Sequence, residues 1–130
     1  MAAHYNRLYR KGMKSQYSAE NVCIAQGGRL ALSRAMMALA ATSVGYQTPD
    51  YTAYEDMFNV HLARIDTHLV RARPEDGFVI PAERLEQELS ERDLGAFIIS
   101  NPCNPTGALL EGDELERQAG AQTQGDETAA

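Results

Sequence analysis

A chain of 130 residues with 44% apolar and 23% charged residues has the size and make-up of one soluble globular domain. Its formal net charge of -6 and pI near 5.0, with basic residues scattered along the chain, exclude the basic stripe of a nucleic-acid binder. No apolar run is long enough for a membrane span and the first residues form no signal core, so the expectation is a cytoplasmic protein without a membrane partner.

Two cysteines, Cys23 and Cys103, are too few and too far apart for a disulfide framework or a zinc site. Cys23 reads instead as a small apolar residue of a strand. His4, His61 and His68 lack metal-ligand spacing, and no metal is expected. Only Lys11 and Lys14 supply lysine, both near the N-terminus. Chemistry that needs a lysine deep in a fold therefore has no candidate.

Residues 5–17 are polar and basic with interspersed tyrosines, and are expected to be helical in part. Ser18 to Asn21 forms a turn into Val22-Cys23-Ile24-Ala25, an apolar run expected to be a buried strand. Gln26-Gly27-Gly28 breaks it, and a helix follows with Leu32, Ala35, Met36, Leu39 and Ala40 on one face. Val44 to Gln47 is a second short strand. Asp50 then caps a helix whose face carries Tyr51, Tyr54, Phe58 and Leu62. Arg64 to Val70 alternates as a third strand, and Arg73 to Gly77 is a turn by composition. Pro81 opens an amphipathic helix over 82–92, because its missing N–H would be unpaired there in any case. Ala96 to Ser100 is a continuous apolar run of the kind covered on both faces. Glu111 starts an acidic helix. From Gln118 on, no large apolar residue offsets the entropy of ordering, so 118–130 is expected to be a disordered tail.

Strands alternating with helices predict an α/β fold with a mainly parallel sheet and flanking helices. The expected organisation is an N-terminal helical and polar segment over 1–20, a partial α/β domain over 21–117, and the tail. Ligands of such sheets bind at the carboxyl ends of the strands. Three stretches stand out there. Gly27-Gly28-Arg29 presents the first amides of a helix, ahead of its hydrogen-bond ladder, which welcome an anion, although paired glycines at such a junction are more often turn geometry alone. Tyr51 and Tyr54 fit core packing, or a ring laid over a planar ligand. Asn101-Pro-Cys-Asn-Pro-Thr-Gly107 is the most unusual, since two Asn-Pro steps force extended backbone and invite cis bonds.

Asn101 to Gly107 resembles the Asn-Pro-x-Asn-Pro-Thr-Gly motif of the class I/II aminotransferases of fold type I. Val22 to Arg29 is similar to that family's entry into the phosphate cup, Pro49 to Tyr54 to its Pro-x-Tyr-x-x-Tyr segment, and Gly77 to Leu85 to the approach to the helix before the motif strand. The match in order and spacing runs over roughly 5–117. The resemblance implies a partial fold-type-I large domain that binds pyridoxal 5'-phosphate. The backbone amides of Gly28 and Arg29 would hold the phosphate, Tyr51 would stack on the pyridine ring, and Asn104 would donate to the ring 3'-oxygen. Pro105 would be a cis proline, and Cys103, at a variable position, receives no role.

The family's later machinery is an aspartate for the pyridine nitrogen, a lysine that forms the Schiff base, and an arginine for the substrate carboxylate; none of it has a match here. No catalytic residue is therefore assigned. The resemblance implies amino-group transfer between an amino acid and a 2-oxo acid, a biosynthetic setting, and a homodimer in complete relatives. This chain is expected to be a truncated form, inactive alone, binding cofactor weakly and without a covalent bond. Its strand at 22–25 would lack the neighbours that the missing strands supply. The alternative expectation is a non-catalytic phosphate- or cofactor-binding or interaction module.

Overall fold

The computed structural model describes residues 1–61 and 64–121, and the chain divides into two compact units, Met1–Ala35 and the remainder from Met36. The first unit opens with helix α1 (Ala2–Tyr9). The segment after it is tied back by Asn6, whose side-chain amide donates to the Tyr17 carbonyl and accepts from the Tyr17 N–H, both at 2.8 Å. The Arg10 guanidinium lies 4.6 Å from the centre of the Tyr17 ring. Ser18 and Asn21 cap one turn of 3-10 helix reciprocally, as the turn-like composition there predicts.

The apolar run Val22 to Ala25 is not a strand. Among the described residues no strand pairs with it, Cys23 is exposed, and Ile24 is 73% exposed. Apolar, β-branched composition favours extended backbone, but a strand exists only where a neighbour takes its N–H and C=O groups. Helix α2 (Gly28–Ala38) follows the glycine turn as expected. Of its apolar stripe only Met36 is buried, while Leu30 and Met37 are exposed.

In the second unit, strands β1 (Thr42–Thr48), β2 (Ile65–Arg71) and β3 (Leu94–Ile98) form an all-parallel sheet in the order β2-β1-β3. Helix α3 (Ala53–His61) links β1 to β2, and α4 (Ala82–Glu91) links β2 to β3. Parallel neighbours require such crossovers, which is why strand and helix patterns alternate in the sequence. Leu62, which the pattern adds to the α3 face, lies outside the described residues.

The central strand packs most tightly. Val44 is fully buried, and Gly45 has no room for a side chain: a Cβ there would lie 2.5 Å from Cδ2 of Phe97 and 2.8 Å from Cδ1 of Leu94. The β1–β3 register slips at Gly95, so Ser43 faces Leu94 and Val44 faces Ala96. One face of the sheet carries Val70, Ala72, Ile80 and Leu85, with Phe78, Leu89 and Phe97 packed against them. Ala53, Tyr54, Met57 and Phe58 of α3 are buried as well, and the Phe58 ring sits 5.1 Å from that of Tyr46.

β3 begins and ends two residues before the run that the sequence marks, and its residues are half-buried rather than covered on both faces. Among the described residues it lies at the end of the strand order, with β1 on one side. Helix α5 (Gly112–Ala121) corrects the expected start of the tail. Gln118 is buried and donates to the Ile80 carbonyl at 2.5 Å, so a polar side chain holds a turn that no large apolar residue could. The rest of the expected tail, from residue 122, lies outside the described residues.

Candidate functional site

β1 has β2 on one side and β3 on the other, so the order of strands reverses across it. In open parallel sheets the crevice at such a reversal, beyond the carboxyl ends of the strands, is where ligands bind. The loop after β1 carries Pro49, Asp50 and Tyr51, and the loop after β3 carries Asn101 to Gly107. The fold thus brings Tyr51 and Asn104 to the same edge, on loops leaving neighbouring strands.

Both loops are bound internally and to each other. The Asn101 side chain donates to the Leu110 carbonyl at 2.7 Å and accepts from the Leu110 N–H at 3.0 Å. Within that closure the Cys103 N–H donates to the Ala108 carbonyl at 2.8 Å, and the Gly107 N–H to the Cys103 carbonyl at 2.7 Å. Gly107 has φ +73°, a conformation that favours glycine. The peptide bonds before Pro49, Pro102 and Pro105 are cis, in keeping with the expectation at both Asn-Pro steps.

Asp50 does not cap α3. It is buried, and its carboxylate spans the two loops: Oδ2 accepts from the Ser100 N–H at 3.0 Å, and Oδ1 accepts from the Ser100 hydroxyl and from the Tyr51 N–H at 2.6 Å. Ser100 Oγ accepts in turn from the Asn104 N–H at 3.0 Å. Cys103, for which the sequence offers no role, is also buried here; its Sγ donates to the Pro49 carbonyl at 3.3 Å and lies 3.6 Å from Gln47 Nε2. Sequence reasoning missed Asp50, Ser100 and Cys103 as a connected group. The available signal was polar residues at the ends of two strands that the fold makes neighbours.

Tyr51 is half-buried and meets Tyr54 edge to face, with centroids 5.8 Å apart and planes at 88°. Tyr54 is buried; loss of solvent, then the Asp50 charge, raises its phenol above the ordinary value, and a hydrogen bond with Ser100 acts the other way. The Asn104 side chain is exposed at the mouth of the site. A cavity of about 10 Å³ beneath the loops, bounded by Gln47, Cys103, Leu110 and Gln118, has room for a single water and not for an aromatic ligand.

Gly28 and Arg29 belong to the first unit, at the start of α2. The first ladder bond of that helix runs from the Ala31 N–H to the Gly27 carbonyl at 3.1 Å, so the Gly28 and Arg29 amides precede the ladder. Gly27 has φ +95°, and a Cβ on Gly28 would meet nothing within 4 Å. Geometry here demands glycine at 27, and at 28 leaves open space beside the backbone. Lys11 and Lys14 are exposed in the same unit. Among the described residues no cluster of three or more His, Cys, Asp or Glu side chains could hold a metal, and no helix is long and apolar enough to cross a membrane.

The family model for aminotransferases of class I and II matches residues 1–123. A curated relative, a probable aspartate/prephenate aminotransferase of Rhizobium leguminosarum bv. phaseoli, is 32% identical over 102 residues, which cover 77% of this chain and 25% of the relative. Among solved structures, an aminotransferase from Mycobacterium tuberculosis superposes with a TM-score of 0.79 at 23% identity, over 96% of this chain and 31% of that one. The aspartate aminotransferase of Rhizobium meliloti gives 0.75 at 24% identity, over 92% and 29%. The chain spans about a quarter of the length of the curated relatives it matches, and its fold matches part of those solved structures.

Proposed function

The chain belongs to the class I and II aminotransferases, and from that premise we propose that it carries part of the pyridoxal 5'-phosphate cradle of an amino-group-transfer enzyme and is inactive as a catalyst by itself. The observation that carries the reading is the pair of braced loops at the strand-order reversal, with a half-buried aromatic ring on one and an open amide on the other. Bound pyridoxal phosphate supplies an electron sink for the carbanion chemistry of amino acids. Tyr51 would bear on the face of its ring, steadied by the edge of Tyr54. Asn104 would donate to the ring 3'-oxygen. The amides of Gly28 and Arg29, at the start of a helix, suit an anionic phosphate.

Taken separately, the crevice residues suit a ring and the start of α2 suits a phosphate, but neither set supplies the covalent anchorage or the movement of a proton. Those tasks call for a lysine at the site, and this sequence offers only Lys11 and Lys14, ahead of α2. Binding by this chain is accordingly weak and non-covalent. The names of its relatives put forward aspartate and prephenate, an amino acid and a 2-oxo acid, as substrates of a complete enzyme of this family, for which the resemblance suggests a cytoplasmic location and a homodimer.

Titration with pyridoxal phosphate, borohydride reduction and peptide mapping test the reading. The expected result is no saturable imine band and scattered, substoichiometric labelling of Lys11, Lys14 and the N-terminal amine. Stoichiometric labelling of one lysine would overturn it and make the chain a small enzyme in its own right.

A further inference from the structure

We propose that Asp50 is a positioning residue that fastens the Tyr51 loop to the Asn104 loop, setting both cofactor-facing groups before a ligand arrives. The inference deepens the cofactor-cradle reading and rests on it for the identity of the ligand.

An ionised carboxylate only accepts hydrogen bonds, and Asp50 meets three donors: the Ser100 N–H, the Ser100 hydroxyl and the Tyr51 N–H. Because the hydroxyl gives its single proton to Asp50, its oxygen is left to accept, and it takes the Asn104 N–H beside its hydrogen bond with the Tyr54 phenol. The directions along this relay agree from one end to the other. Asp50 lies next to Tyr51 in sequence, and Ser100 lies four residues before Asn104 and two beyond the end of β3. One buried carboxylate thereby fixes backbone on both sides of the crevice. Such charge-assisted bonds in a low-dielectric setting are stronger than neutral ones. The Cys103 thiol also joins the two loops, through the Pro49 carbonyl at 3.3 Å, but as a weaker thiol contact.

Asp50→Asn keeps the shape but replaces one acceptor oxygen with a donor that faces other donors. Ser100→Ala removes the hydroxyl while keeping the Ser100 N–H bond, and serves as the gentler variant should Asp50→Asn fail to fold. Amide hydrogen exchange on the full chain, with and without 4'-deoxypyridoxine 5'-phosphate, gives two independent readouts. That probe has no aldehyde, so lysine labelling does not intrude. Each variant is expected to speed exchange at Asn104 about tenfold, leave Val44 and Gln47 of β1 unchanged, and weaken probe binding about tenfold. Unchanged exchange at Asn104 in the folded variants would overturn the proposal. So would uniform loss of protection across β1 and β3, since Asp50 would then serve stability alone. Local loosening with no probe binding by the parent chain would uphold the fastening and refute the cofactor reading instead. Local loosening with undiminished probe binding would refute the positioning role and leave the cofactor reading standing.

Discussion

Val22 to Ala25 and Leu94 to Ile98 are both short apolar runs, and each leads into a loop of unusual composition, yet only the second is hydrogen-bonded into a sheet. The difference lies outside both runs. β3 finds β1 beside it, with Gly45 leaving the space that Phe97 and Leu94 fill. Val22 to Ala25 finds no strand among the described residues, and Ile24 stays in solvent. A strand is a pairing between segments, and a segment that matches the strand pattern supplies only half of it.

Three substitutions sharpen that comparison. Ile80→Ala should have the largest effect, because Ile80 is 2% exposed in the face shared by Val70, Leu85 and Phe97; a loss of about 2–5 kcal/mol is expected from the urea midpoint. Gly45→Ala comes next. Its Cβ would press on Phe97 at 2.5 Å, and overpacking of this kind costs about 1–3 kcal/mol. Exchange of the β1 and β3 amides should rise while that of β2 lags behind. Ile24→Ala should be nearly silent, within about 0.5 kcal/mol in the same urea experiment. If it instead costs as much as Ile80→Ala, something covers Ile24 in solution and the contrast between the two runs fails.

Much of the fold is legible before any coordinates, and for identifiable reasons. β1, β2, α3 and α4 follow from alternation, helical spacing and the punctuation of Pro49, Pro74 to Gly77 and Pro81, all of which act within a few residues. What the sequence hides is long-range. Asp50 carries a helix-cap signature, yet its partner is Ser100, fifty residues on, and only the sheet order makes them neighbours. Gln118 has the composition of a tail and is held by one carbonyl in a different element. The loops that carry Tyr51 and Asn104 were legible because prolines and asparagines announce them locally, while the cofactor roles given to those two residues come from the family resemblance. The bonds that tie those loops together were not, because each crosses between strands.

Helix α5 bears on how far this chain can be shortened. Glu114 offers one carboxylate oxygen to the Ala82 N–H at 2.6 Å, supplying the cap that Pro81 cannot, and gives the other to Arg117, which also reaches Glu83 at 2.7 Å. The start of α4 is therefore finished by residues some thirty positions later. A cut placed before Gly112 would strip the first turn of α4 of its acceptor and leave the Ile80 carbonyl without Gln118. The damage would surface in the turn after β2 and at the start of α4, about thirty residues before the cut, and trimming experiments should keep every residue through Ala121 if the crevice is to be studied intact.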